Sequence, residues 1–319
     1  MQCIRQSSTW IANIKRTIEI GEFVLHKYLR AVGFSKIKNR KELQALIVKA
    51  VQKASEKSYT TVYDDSLYAE YHAEFGDRIG LCIRGEYDEE NKFIYDYYFP
   101  YLRSDQITTM EDISVERQVE KISYAGIVDD LKMGLSLIFY LQNIITYMKL
   151  SNADRLPIRG TALTLTGLSD SGKILLPIIK DANDIRKEQN YNNRKSRMIA
   201  AAKKGDEDAI ENLTLEDMDT YSTISKRILS EDVFSLVDTS LMPYGVECDL
   251  YSILGEIKYC DKVMNSITKE EVYIMTLNVN DILIDVCINK QDLLGEPELG
   301  RRFKGVIWLQ GRIHYPEEA

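Results

Sequence analysis

The stretch "TLTGLSDSGKILLP", residues 164–177, holds the spacing with the sharpest chemical meaning in the chain. Gly167, four residues, Gly172 and Lys173 match the first seven positions of a phosphate-binding loop, whose glycines let backbone N–H groups wrap a phosphate while the lysine neutralises it. The loop also needs a Ser or Thr after the lysine to hold Mg²⁺, and a helix starting there to face the phosphate. Ile174 stands in place of the hydroxyl, and Pro177 would fall inside the first turns of that helix at a cost of about 3 kcal/mol. Strand, turn, strand meets no such conflict, so a hairpin turning at "GLSDSGK" is the expectation and no nucleotide site is assigned. A helix beginning at Gly172 or Lys173 would reverse that reading.

Other catalytic sets are thinner. The chain has three histidines, His26, His72 and His314, far apart in sequence. In "EYHAEF", Glu70, His72 and Glu74 alternate, and on a strand they would converge as metal ligands; a solvated polar face accounts for them equally well. Ser169 in "GLSDSG" lies one residue out of register for a nucleophile elbow. The five cysteines (Cys3, Cys82, Cys248, Cys260, Cys287) show no C-x-x-C spacing and read as free thiols of a reducing compartment. No catalytic residue, metal or cofactor is assigned.

Binding chemistry has three candidates. The C-terminal "GEPELGRRFKGVIWLQGRI" clusters Arg301, Arg302 and Lys304 before Trp308: an anion or peptide site at a barrel rim, with arginine forks and an aromatic anchor, set against a bulged final strand with Trp308 in the core. Residues 186–204 are basic (Arg186, Lys187, Arg194, Lys195, Arg197, Lys203, Lys204) and residues 206–219 are acidic. The first block would suit a nucleic-acid backbone, but two helices neutralising each other are the simpler expectation, and Tyr191 alone is poor for base stacking. The third is the run of nine tyrosines from Tyr59 to Tyr101, suited to an interface or to sheet-covering packing.

The elements that would position these groups follow from periodicity. A chain of 319 residues with 45% hydrophobic residues has material for two domains. The net charge of −8 argues against a surface built wholly for nucleic acid or anionic membrane. No run approaches the roughly 18 apolar residues of a membrane span, and a cytoplasmic location is expected. A helix with Leu43, Leu46, Ile47, Ala50 and Val51 on one stripe begins at the N-cap Asn39. A hairpin follows over 79–87 and 92–99, turning at "DEEN", with Phe93, Tyr95, Tyr97 and Phe99 on one face. An all-round apolar run over 129–150 reads as a central helix. A charged helical connector breaks at Gly205 and at Thr214, where "TLED" resembles a capping box. From Tyr244 the period becomes two, and four strand-like runs suit a small antiparallel barrel or sandwich.

The fold class is therefore α+β, an antiparallel sheet with packed helices, then a connector and a C-terminal all-β barrel-like or sandwich-like domain. The expected divisions are an N-terminal extension (1–24), an α+β domain (25–180), the connector (181–240) and the β domain (241–319).

The blocks "LHKYLRAVGFSKIKNRKEL", "RGEYDEENKFIYDYYFPYL", "SYAGIVDDLKMGLSLIFYLQN", "MPYGVECDLYSILGEI" and "LGEPELGRRFKGVIWLQG" resemble those of an uncharacterised bacterial domain-of-unknown-function family over about residues 25–312. The resemblance implies a small cytoplasmic protein of anaerobic Gram-positive bacteria and brings no activity or catalytic residues. The expectation is a non-catalytic binding or adaptor protein with a protein partner, contacting it through Arg301, Arg302, Lys304 and Trp308. The alternatives are a nucleic-acid or phosphate-ligand binder through the basic helix and the Arg301 to Lys304 cluster, and an enzyme with scattered carboxylates.

Overall fold

The computed structural model describes residues 25–62, 66–118, 122–130, 135–178, 182–227 and 237–316; the expected extension 1–24 and Tyr63 lie outside the described residues. Asn39 starts helix α1 (Arg40–Lys53) as expected. Its side chain accepts the Glu42 N–H at 3.0 Å, and the Glu42 carboxylate accepts the Lys38 N–H at 2.9 Å, so two donors at the helix start are satisfied. The predicted stripe from Leu43 to Val51 is buried. It lies on a four-stranded antiparallel sheet of β1 (Glu56–Thr61), β2 (Leu67–Gly76), β3 (Ile79–Tyr87) and β4 (Phe93–Leu102), in that order.

In β4 the expected common face of four aromatics is broken. Arg84 pairs with Tyr97 but Gly85 with Tyr95, which leaves Asp96 bulged. Because side chains alternate, the extra residue flips the strand. Phe93 meets Tyr71 at 5.1 Å between centroids, whereas the Phe99 ring lies 4.6 Å from the Arg84 guanidinium carbon.

A second, ten-stranded sheet takes in β5 (Ile113–Arg117), β6 (Tyr124–Asp130), β7 (Leu135–Leu141), β8 (Ala162–Leu175), β9 (Ser240–Pro243), β10 (Leu250–Met264), β11 (Glu271–Val279), β12 (Ile282–Asn289), β13 (Leu293–Leu294) and β14 (Arg302–His314). Strands β8, β12, β11, β10 and β14 pair in sequence, and β14 pairs back onto β8, so these five close into a ring. Leu277, Ile284, Val286, Phe303 and Ile307 share the buried cluster this ring contains. The four C-terminal runs are strands, as their period of two predicts. Their ring is completed by β8, which precedes the division expected at 180, and β7, β6 and β5 extend the same sheet from β14.

Two sequence expectations fail here. "GLSDSGK" is no hairpin: β8 runs unbroken from Ala162 to Leu175, and the turn-like residues form a bulge in which Asp170 and Ser171 oppose Val306. Gly167 and Gly172 serve close approach, since a Cβ on Gly167 would lie 2.9 Å from Ile307 Cδ1 and one on Gly172 would enter the Phe303 ring. No helix begins at Gly172 or Lys173. The long helix expected over 129–150 is instead β6, β7 and the short α2 (Ile144–Asn152). Leu137, Phe139 and Leu141 on one side of β7 and Tyr140 on the other are all buried, and a strand covered on both faces is as apolar all round as a central helix.

Helices α3 (Ala182–Ala202) and α4 (Glu207–Arg227) form the connector, and Gly205 makes the break with φ +84°. Asp206 Oδ1 caps α4 by accepting the Ala209 N–H at 3.1 Å. The second expected break is absent: Thr214 stays helical and its hydroxyl donates to the Ile210 carbonyl at 3.0 Å. With about 47% strand and 23% helix, the protein is α+β and mostly sheet.

Phe139 is held between Gly126 on β6 and Gly311 on β14, each without room for a Cβ. Gly126→Ala is expected to destabilise by about 2 kcal/mol through overpacking. Adding Phe139→Leu should recover part of that loss in urea unfolding, whereas strictly additive effects would contradict the steric account.

Candidate functional site

Alternation along β2 and pairing with β3 bring Glu70, His72, Cys82 and Arg84 to one face: Glu70 lies opposite Arg84 and His72 opposite Cys82. All four are buried. Arg84 is fully enclosed and each guanidinium nitrogen has a hydrogen-bond partner. Its Nε donates to Glu70 Oε2 at 2.8 Å, one terminal nitrogen to the Tyr97 and Tyr140 hydroxyls at 2.7 and 2.9 Å, and the other to the Gln142 carbonyl at 2.6 Å while forming an ion pair with Glu70 Oε2 at 2.8 Å. The chain of bonds continues as Tyr140 donates to Tyr97 at 3.2 Å and Tyr97 to the Ile122 carbonyl at 2.9 Å.

Around it, side-chain amides join the two sheets. Gln142 Nε2 donates to the Leu102 carbonyl of β4 at 3.1 Å and to Gln310 Oε1 of β14 at 2.8 Å, and Gln310 Nε2 donates to the Pro100 carbonyl at 2.8 Å. The buried outer edge of β4 is thereby satisfied by Gln142, just beyond β7, and Gln310 of β14.

The ionisation states follow from this enclosure. Burial pushes the Glu70 carboxyl up, but the Arg84 charge, His72 and their hydrogen bonds outweigh it and hold it at about 2. Burial, then the Glu70 charge, pushes the Cys82 thiol well up, so it is not a nucleophilic thiolate. Burial also raises Tyr140 far above an ordinary phenol, against the opposing pull of Arg84.

Glu70, His72 and Cys82 are the group among the described residues whose donor atoms converge closely enough to hold a metal ion, within 4.8 Å of one another. Glu70 and His72 belong to the alternating set seen in the sequence; Glu74 does not join them and lies 3.5 Å from Arg103. The donor chemistry does not fit a metal. His72 Nε2 already meets Glu70 Oε1 at 2.8 Å, with Cys82 Sγ 3.8 Å away. A metal on Nε2 would move the ring proton to Nδ1, which is buried without a partner, whereas a ligating histidine donates that proton to an acceptor. Arg84 has also already neutralised Glu70, so a divalent ion would leave excess positive charge even over a thiolate. The set is a buried ion pair with a histidine and a thiol at its edge.

The C-terminal candidates separate. Trp308 is 7% exposed; its indole N–H donates to Asp249 Oδ2 at 2.8 Å, and Tyr28 stacks on it at 5.7 Å. Arg302 directs its fork at backbone, donating to the Leu176 carbonyl at 3.1 and 3.0 Å and to the Val237 carbonyl at 3.0 Å, which ties off the end of β8. Arg301 pairs with Glu298 at 2.8 Å. Lys304 lies directly across from Lys173, and burial, then the Lys173 charge, lowers its pKa. Arg302, Lys304 and Trp308 alternate onto one face of β14, where Arg302 and Trp308 are buried and Lys304 is half-buried. In the connector, Arg194 pairs with Glu216, so the basic helix lies against the acidic one. The Lys187, Asp217 and Asp219 side chains lie outside the described residues. Of the tyrosines, Tyr68, Tyr71, Tyr97, Tyr98 and Tyr101 are buried and act as sheet packing, while Tyr59 is 37% exposed.

Sequence reasoning missed Arg84 and its partners Tyr140 and Gln142. The available signal was a single arginine inside the apolar run "IGLCIR", where a strand buried on both faces must provide a counter-charge.

Fold and cluster thus define a mostly β, α+β protein whose converging polar groups are used internally. The chain matches, over residues 29–311, the family model described as "Domain of unknown function, E. rectale Gene description (DUF3881)", and it belongs to that bacterial family. No curated protein and no solved structure matches it. No helix among the described residues is long and apolar enough to cross a membrane.

The Glu70 carboxyl is held below its ordinary 4.5 at about 2, so its contribution is complete above pH 4.5 and is lost as pH falls from there toward 2. Between pH 6 and pH 3 the wild type is expected to lose about 2 kcal/mol more stability than Glu70→Gln in urea unfolding. Equal losses would show that the carboxylate is not held by Arg84.

Proposed function

We propose that the protein is a non-catalytic binding protein whose contact face is the open end of the strand ring around Arg301 and Lys304, and that its partner is an acidic protein segment with apolar side chains. Arg302 and Trp308 serve this face from behind, one holding the end of β8 and the other seating β14. The observation that carries the reading is the cross-strand pair Lys173 and Lys304, with Leu294 of β13 opposite Lys173 and 73% exposed, and with Leu176, 71% exposed, at the end of β8. Two cations side by side on neighbouring strands suit an incoming carboxylate. Large exposed leucines gathered at one rim are the usual mark of a contact surface. The enclosure of the Glu70, His72 and Cys82 set supports a non-catalytic role, since neither a raised thiol nor a fully paired carboxylate is available to a substrate.

A cytoplasmic location is part of the proposal. It is supported by four unpaired cysteines among the described residues, Cys82, Cys248, Cys260 and Cys287. The pairing of basic α3 with acidic α4 weakens the case for nucleic acid.

A fluorescein-labelled peptide of alternating Glu and Leu tests the contact face by anisotropy in about 50 mM salt, where charge contacts are strong. Saturable binding is expected, weakened at least tenfold by Lys173→Glu with Lys304→Glu and several-fold by Leu294→Ser, with thermal stability retained. No binding, or equal binding by the lysine variant, would refute the assignment, and tight salt-sensitive retention on heparin instead would favour a phosphate-backbone ligand.

A further inference from the structure

Among the described residues of the two 21-residue helices of the α3–α4 hairpin, Ile199 and Ala209 are the apolar side chains that are buried. Meanwhile Tyr191, Ile210, Leu215 and Met218 are 39%, 49%, 55% and 65% exposed.

Their placement is ordered. At about 100° per residue, Arg186 and Arg197 fall about 20° apart on the side of α3 opposite Ile199, while Arg194 reaches Glu216 of its own α4. On α4, Ile210, Glu211, Leu215 and Met218 fall on the side opposite Ala209, together with Glu207 and Asp208. The hairpin therefore has a basic outer face on one helix and an acidic, apolar outer face on the other. Such a surface is complementary to itself under a two-fold axis, because turning a second hairpin over sets its α3 on the first one's α4, and the reverse.

We propose that the protein forms a two-fold dimer through this hairpin, the arginine face of α3 in each copy covering the Ile210, Leu215 and Met218 face of α4 in the other. Arginine stems cover the apolar side chains while their guanidinium groups meet Glu207, Asp208 and Glu211. The size is sufficient. A face about 31 Å long and about 20 Å wide contributes on the order of 600 Å² per copy, and about 1,200 Å² in total reaches the lower bound of a specific interface. The product is a four-helix arrangement that leaves the lysine face of the strand ring unused, so the dimer and the proposed binding site are independent.

Sedimentation equilibrium of the full chain over roughly 1–100 μM, in about 50 mM and about 500 mM salt, tests the dimer. A monomer–dimer equilibrium is expected, at least tenfold weaker at the higher salt. Ile210→Lys with Met218→Lys should leave a monomer at every concentration. The milder Leu215→Ser should weaken association several-fold with unchanged helical circular dichroism, which separates loss of the interface from unwinding of α4. A wild-type monomer at 100 μM would overturn the proposal, as would a dimer that the Ile210 and Met218 substitutions and Leu215→Ser leave intact.

Discussion

A fully enclosed guanidinium is the constraint around which the two sheets are arranged. Removing Arg84 from water costs several kcal/mol unless each of its donors is met, and a fork of five donors can be met only by groups converging from several directions. One strand supplies Glu70, another Tyr97, and the larger sheet Tyr140 and the Gln142 carbonyl. The arginine therefore has its full set of partners only when both sheets are in place. Lysine, with a compact and strongly hydrated charge, would not reach the same set. Gln142 and Gln310 extend this logic to the edge of β4, whose carbonyls would otherwise be buried unpaired.

Enclosure on that scale moves function outward. A carboxylate held at about 2 and a thiol raised by burial are fixed in one protonation state through the physiological range, so the cluster offers specificity of assembly rather than reactivity. The contact face and the dimer surface proposed above accordingly lie on the exterior, at the Lys173 and Lys304 pair and on the charged hairpin. The ring itself depends on close approach. Gly167 and Gly172 admit Ile307 and Phe303 into its wall, which is why a glycine spacing typical of a phosphate loop occurs inside a strand.

Local patterns were legible where one interaction decides them. Asn39 marks the start of α1 because a cap is a contact across three residues, and the C-terminal strands are readable because apolar runs rich in Ile, Val, Leu and Tyr are set apart by Asn, Asp, Gly and Pro. The stretches that misled are those decided by distant partners. The run 135–141 is apolar on both sides because Phe99 and Trp308 cover Tyr140 on one face while Leu137, Phe139 and Leu141 join the cluster of Ile144, Ile145 and Met148 on the other, and nothing within seven residues distinguishes that from a buried helix. Likewise "SDSG" has turn composition, but pairing with β14 turns it into a bulge, and Asp96 reverses the faces of β4 only because β3 keeps its register. The cluster was half visible: Glu70 and His72 lie two apart on one strand, whereas Cys82, Arg84 and Tyr140 join them through pairings that no spacing encodes.

The central claim, that the Arg84 network makes the two sheets one cooperative unit, is tested most directly by native-state hydrogen exchange on Tyr140→Phe. This variant keeps the ring and removes the hydroxyl by which β7 reaches Arg84 and Tyr97, a loss of about 1–2 kcal/mol. The account predicts that the slowest amides of β2, β3 and β4 and those of β7 and β14 accelerate together, by roughly tenfold. Faster exchange confined to β7, with the four-stranded sheet unchanged, would contradict it.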